Sequence, residues 1–272
     1  MRFLFVGDSM TIGRAGEVTW RHELTRHLAG CAACAGPGPA EVVGPWSHQY
    51  GEDHDGTTAG GAHLAAWGEG WLHMASRIGP AVAEHAPDVL LVSLGLIDLG
   101  FYTDSAQTEA NVRRFVAEAR AAGPGTSAVV LPVVPNVRAD TDALFAAEVG
   151  RFNGRLAAAL SELTDPHSPL VLAPTPTAPP VAYDIHRDTY DGTHPAPSGA
   201  RKLATAFARA LHALRGAGAS YHPCASPCSD HPATEAAPTA RTAPAAGAPA
   251  PSPAASAPLQ APAAAPGTPV SG

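Results

Sequence analysis

The stretch Asp88-Val89-Leu90-Leu91-Val92-Ser93-Leu94 is apolar at odd and even positions alike. Side chains of an extended chain alternate between two faces, so a run that is apolar at both has neither face in water. That is the mark of a parallel strand covered by helices on both sides. Working outward, the apolar spacing predicts a helix over 71–85 before this strand and another over 106–121 after it. A strand over 128–134, a helix over 141–163, a strand over 170–172 and a helix over 198–214 continue the alternation. Upstream, Arg2–Val6 reads as the first strand. A helix over 17–28 follows, with Trp20, Leu24 and Leu28 on one face, and then a short strand over 41–44. The stretch 45–61 is polar, histidine-bearing and glycine-rich, a long loop expected to overhang the site. Strand and helix alternating five times predict an α/β protein: a doubly wound parallel sheet of five strands in a flavodoxin-like three-layer sandwich.

Composition divides the 272 residues unevenly. Residues 1–215 carry the regular apolar blocks and are expected to form one folded domain, with 216–232 a short cysteine- and histidine-bearing extension. From 233 to 272 the chain is dominated by Ala, Pro, Ser, Thr and Gly, with Glu235 and Arg241 its only charges. Such a tail buries too little apolar surface to offset the entropy of ordering it and is expected to be disordered. A formal charge of −7 and scattered arginines with no basic stripe argue against a nucleic-acid partner. No apolar stretch is long enough to span a bilayer. The first apolar run is also too short for a secretory leader, so the expected location is cytoplasmic.

In a sheet of this kind, ligands sit beyond the carboxyl ends of the strands. Gly7-Asp8-Ser9 follows the first strand, and Asp191-Gly192-Thr193-His194-Pro195 precedes the last helix, so both fall on that edge. Together they hold the parts of a serine nucleophile: a hydroxyl, an imidazole to take its proton, and a carboxylate to fix the imidazole's tautomer. Asp8 is read as a brace for the nucleophile loop. His194 is one of thirteen histidines and is singled out by its block. Trp46, Trp67 and Trp71 are read as core packing at a helix start, and Phe101 and Tyr102, just after Asp98, could wall a pocket but are assigned no role.

With these blocks the chain resembles the SGNH or GDSL hydrolases over roughly residues 1–215. The resemblance implies a serine esterase acting on a small-molecule ester, with Ser9 as nucleophile, His194 as base and Asp191 as its partner, and with no metal or organic cofactor. Ser93-Leu94-Gly95-Leu96-Ile97-Asp98 occupies the place of the family's G-x-N-D block. There Gly95 shapes the turn and Asp98 satisfies loop amides. Ile97 stands where the family carries an asparagine whose amide is one of three oxyanion donors, beside the N–H of the nucleophile and that of a glycine in a second block. Its distance from the third strand identifies that glycine as Gly68, with Gly70 second and Gly60 and Gly61 too far upstream. Isoleucine cannot donate, and three readings follow: it lines an acyl pocket while another donor serves, two backbone donors suffice, or hydrolysis is lost. Acyl transfer to an alcohol or amine, and a non-catalytic acyl-binding domain, are the corresponding alternatives to an esterase.

The four cysteines form two close pairs, Cys31 with Cys34 and Cys224 with Cys228. The first and last helices share one face of such a fold, so the pairs can meet there. Four thiolates would suit a structural zinc, and two pairs would also suit disulfides; four unlinked loop thiols are the plainer reading.

Overall fold

Every strand of the sheet runs parallel to its neighbours, and its order is what positions the site. The computed structural model describes residues 1–35, 38–51, 60–174 and 182–215. In chain order the elements are β1 (Arg2–Gly7), α1 (Ser9–Ile12), α2 (Trp20–Gly30), α3 (Ala32–Ala35), β2 (Glu41–Val42), β3 (His63–Ala65), α4 (Trp71–His85) and β4 (Val89–Ser93). They continue with α5 (Ser105–Ala122), β5 (Ser127–Leu131), α6 (Val137–Thr141), α7 (Ala143–Leu163), β6 (Leu170–Leu172), α8 (Ile185–Asp188) and α9 (Pro197–Leu214). The strand order is β2-β1-β4-β5-β6, with β3 also on β1.

The sheet thus holds six strands where the sequence predicts five. β2 pairs with Arg2 and Phe3, while β3 pairs with Phe5, Val6 and Gly7, so the two short strands share one edge column. The chain leaves that column at Gly44, whose backbone lies so close to His63 that a Cβ there would sit 2.7 Å from the His63 nitrogen. Three residues beginning with a histidine carry no apolar run, which is why β3 was hidden in the sequence.

Alternation along the strands builds two cores. Leu4, Val6, Leu90, Val92, Ala128 and Val130 face α4, α5 and α7. Phe3, Phe5, Val89, Leu91, Val129 and Leu131 face α2 and α9. Trp20 of α2 stacks on Phe207 of α9 with centroids 4.2 Å apart, and Phe5 meets the same indole edge-on. Burying three such rings dominates that layer's contribution, on the order of 2 kcal/mol or more each.

Local chemistry moves several boundaries. α2 starts at Trp20 because Thr19 caps it, its N–H donating to His22 Nδ1 at 3.1 Å. β5 stops at Leu131 because Pro132 has no N–H to donate. Asn153 then takes over the ladder, bonding both the N–H and the carbonyl of Val133. The helix expected over 141–163 is α7, begun by Asp142, which accepts from the N–H groups of Leu144 and Phe145; a separate short helix, α6, capped by Asn136, precedes it.

Cys31 is disulfide-bonded, and Cys34 is a free, buried thiol 3.3 Å from His27 Nε2. The zinc and disulfide readings of the two pairs both depend on Cys224 and Cys228 as well. Cys224, Cys228, the extension over 216–232 and the tail over 233–272 lie outside the described residues. No helix of the described residues is long and apolar enough to cross a membrane.

Candidate active site

Ser9 is the first residue of α1, directly beyond β1. Asp8 caps that short helix, its Oδ1 accepting from the Met10 N–H at 3.0 Å. The turn is tight: a Cβ on Gly7 would lie 1.9 Å from Thr11 Oγ1, so only glycine lets the strand enter α1 this way. Across the chain, His194 Nε2 stands 2.9 Å from Ser9 Oγ, and its Nδ1 stands 2.7 Å from Asp191 Oδ2. Asp191 Oδ1 accepts from the N–H groups of Thr193 and His194 at 3.0 and 2.8 Å. Partial burial works against the Asp191 charge, but the His194 backbone and ring and the Thr193 N–H outweigh it, holding the carboxyl below the usual carboxylate range.

Several groups pin the loop that carries His194. Gly192, at φ +85°, places its carbonyl to accept from the Val137 N–H at 2.7 Å, and a Cβ there would strike Val137. Below it, buried Asp188 accepts from the Asp184 N–H and from Lys202, the one lysine of the chain. The imidazole lies against two rings, Trp67 at 5.0 Å and 21° and Tyr190 at 5.7 Å and 14°. Tyr50 stacks on the same Trp67, and the Arg14 guanidinium lies 5.3 Å from its centroid. Trp67 is therefore not core packing, whereas Trp71 is fully buried against Phe115. Trp67, Tyr190 and Arg14 were missed as site residues; the first two adjoin Gly68 and Asp191 in sequence, and that adjacency was the available signal.

Ser9, His194 and Asp191 open onto a cavity of about 450 Å³ that Gly68 and Ile97 also line. Leu96, Phe101, Tyr102 and Phe145 supply apolar wall, and Asn136 and Arg138 supply polar wall. Gly68 sits there at φ +77°, three residues before α4 begins. Gly95 and Asp98 stand behind the wall. A Cβ on Gly95 would come within 2.8 Å of Phe152 and Val133, so glycine lets β4 turn away from the sheet. Asp98 is fully buried and accepts from the N–H groups of Trp71 and Leu72, the first two of α4, at 2.8 and 3.0 Å. Gly70 covers this cap, where a Cβ would fall 2.1 Å from Asp98 Oδ2. Losing the cap strands buried donors at a helix start, at roughly 1–3 kcal/mol apiece. Asp98→Ala is expected to lower unfolding stability by about 2–4 kcal/mol, read as a shift of the urea midpoint at unchanged slope. A midpoint like that of wild type would show that water replaces the carboxylate.

A model of the GDSL-like lipase/acylhydrolase family matches residues 5–202. A search of curated proteins gives no match. Among solved structures, a family 3 carbohydrate esterase from Talaromyces cellulolyticus is similar at TM-score 0.63 and 18% identity, over 80% of this chain and 99% of that one. A family 3 carbohydrate esterase from Clostridium thermocellum is similar at TM-score 0.57 and 19% identity, over 78% and 98%. An acetylxylan esterase from Geobacillus stearothermophilus is similar at TM-score 0.56 and 16% identity, over 77% and 93%. At such identities the likeness is one of fold, and it is the family match over most of the domain that assigns the chain. With that match and a parallel α/β sheet of the same architecture, the chain belongs to the GDSL-like lipase/acylhydrolase family, enzymes that hydrolyse esters.

Proposed function

We propose that the protein is a serine esterase that cleaves a small carboxylic ester through an acyl-Ser9 intermediate. The observation that carries this reading is the unbroken line from Asp191 through His194 to Ser9 Oγ, with both contacts at hydrogen-bond distance and opening on a cavity. Ser9 Oγ attacks the ester carbonyl carbon while its proton passes to His194 Nε2. The carbonyl π pair moves onto oxygen, where the N–H groups of Ser9 and Gly68 meet it. Collapse expels the alcohol, which takes its proton from His194, and water repeats the cycle to release the acid. Ionised Asp191 steadies the imidazolium in between. An intact nucleophile–base contact weighs against a domain that only binds acyl groups, since binding alone needs no such alignment.

A fluorophosphonate probe tests the reading. Wild type is expected to label at one site and Ser9→Ala not at all; folded wild type that stays unlabelled sinks it. The leaving alcohol is proposed to be hydroxyl-rich, because Phe101 and Tyr102 expose their rings at the cavity as sugar-stacking surfaces do, and the similar folds include carbohydrate esterases. Acetylated xylo-oligosaccharides should then be turned over with higher kcat/KM than p-nitrophenyl acetate. The reverse order would restrict the substrate to simple esters.

A further inference from the structure

Three rings and a guanidinium gather beside the catalytic base from four separate stretches of chain. The Trp67 indole lies nearly parallel to the His194 imidazole, with centroids 5.0 Å apart and planes at 21°. Tyr50 stacks on the indole in turn, at 4.6 Å and 29°. The Arg14 guanidinium stands 5.3 Å from the Trp67 ring and 6.0 Å from that of Tyr190, the second ring parallel to the imidazole. Tyr50 is tied back to the end of the helix that begins at Ser9: its N–H donates to the Gly13 carbonyl, and its carbonyl accepts from the Ala15 N–H. Trp67 is only half-buried and lines the cavity, so filling a core does not account for it.

The imidazole needs such a support. Its two hydrogen bonds, Nδ1 to Asp191 and Nε2 to Ser9, leave in the ring plane on opposite sides. They resist a tilt of the ring about the line joining them only through bond angles, which are soft near their optimum. A flat neighbour against the ring face blocks that tilt directly. The same residue bears on the oxyanion. The Gly68 N–H belongs to the peptide unit that begins at the Trp67 carbonyl carbon, and the Tyr102 hydroxyl donates to the next carbonyl, that of Gly68, at 3.4 Å. One residue before Trp67, the Ala66 N–H donates to the Gly7 carbonyl at 3.1 Å, beside the serine loop.

We propose that Trp67 is a positioning residue: its ring holds the His194 imidazole in line between Asp191 and Ser9, and its peptide sets the Gly68 N–H at a fixed place relative to that base. The proposal rests on the serine-esterase reading above, in which that N–H meets the oxyanion. Orientation is the larger effect. An aromatic face also favours the imidazolium that forms as Ser9 gives up its proton, but Arg14 already sets a positive charge against both rings and offsets that gain. A tilted base, by contrast, loses alignment both when it takes the proton from Ser9 and when it hands it to the alcohol.

The test compares wild type, Trp67→Phe, Trp67→Leu and Trp67→Ala on p-nitrophenyl acetate, with the Ser9→Ala blank subtracted. Trp67→Ala and Trp67→Leu should lower kcat by about 10- to 100-fold, with KM changed by less than about threefold. Trp67→Phe keeps a flat face against the imidazole and should stay within about threefold of wild-type kcat. Proton NMR reads the same arrangement without turnover: the low-field resonance of the His194 Nδ1–H should broaden in Trp67→Leu and stay sharp in Trp67→Phe. Leucine and phenylalanine variants of equal kcat would mean that no flat face is at work. A loss carried by KM would mean that the ring meets substrate and not the base. Either result, or wild-type kcat in Trp67→Ala, overturns the proposal and leaves the esterase reading standing. Should Trp67→Ala not fold, the leucine and phenylalanine pair decides. Wild type with no Ser9-dependent turnover overturns the esterase reading, and this proposal falls with it.

Discussion

Ser9→Ala and His194→Ala are each expected to lower kcat on a generic ester by about 10⁵- to 10⁶-fold, and the double variant by scarcely more. The reason is the single contact between them, Nε2 to Oγ at 2.9 Å. A hydroxyl without its base is almost inert, and a base without the hydroxyl has no proton to take. The two losses therefore describe one interaction and cannot add. KM should move little, since neither group makes its main contact in the ground state. The His194→Ala chain should also keep its fold, because the imidazole packs at the edge of the site against Trp67 and Tyr190 and lies in neither core cluster. Losses that multiply in the double variant would mean that serine and histidine work on different steps.

Asp191→Asn is expected to be the next most damaging change, at about 10³- to 10⁴-fold in kcat. Oδ1 of Asp191 is held by two backbone N–H groups, so an asparagine oxygen would take that place and turn its amide nitrogen toward His194 Nδ1. Two donors cannot share that contact. The ring must then carry its proton on Nε2, the nitrogen that faces Ser9. Asp191→Ala should be milder, because the Asp191 side chain is 38% exposed and water can accept from Nδ1 in its absence. Both variants assayed at one pH settle the matter: alanine equal to or worse than asparagine would mean that charge, not tautomer, is what Asp191 supplies.

How much of this could be read in advance depends on how local each signal was. The run over 88–94 named a doubly covered strand because burial on both faces leaves no polar alternation, and β4 stands there. Gly7-Asp8-Ser9 and Asp191-Gly192-Thr193-His194 gave up their residues because each block carries its own turn chemistry: a glycine with no room for a Cβ, and a carboxylate folded onto amides two and three positions on. Asp98 was legible as an acceptor of loop amides, though not which ones, since Trp71 and Leu72 lie 27 and 26 residues away. β3 stayed hidden because its pairing is set by β1 and not by its own composition. The rings around His194 were only half legible: adjacency to Gly68 and Asp191 puts Trp67 and Tyr190 near the site, but their stacking on the imidazole is set by the return of the chain at Tyr190.

The hydrogen bond between Ser9 and His194 joins positions 185 residues apart. Ser9 follows β1, which lies next to β4 in the middle of the sheet. His194 lies in a loop held by Asp188, which Lys202 of α9 in turn secures. Without α9 the loop would lose the Lys202 contact that secures Asp188 beneath it. Turnover would thus hang on a helix that carries none of the three reacting side chains: fraying of α9 would free Asp188 and the loop of His194 and switch the site off while the sheet remained whole.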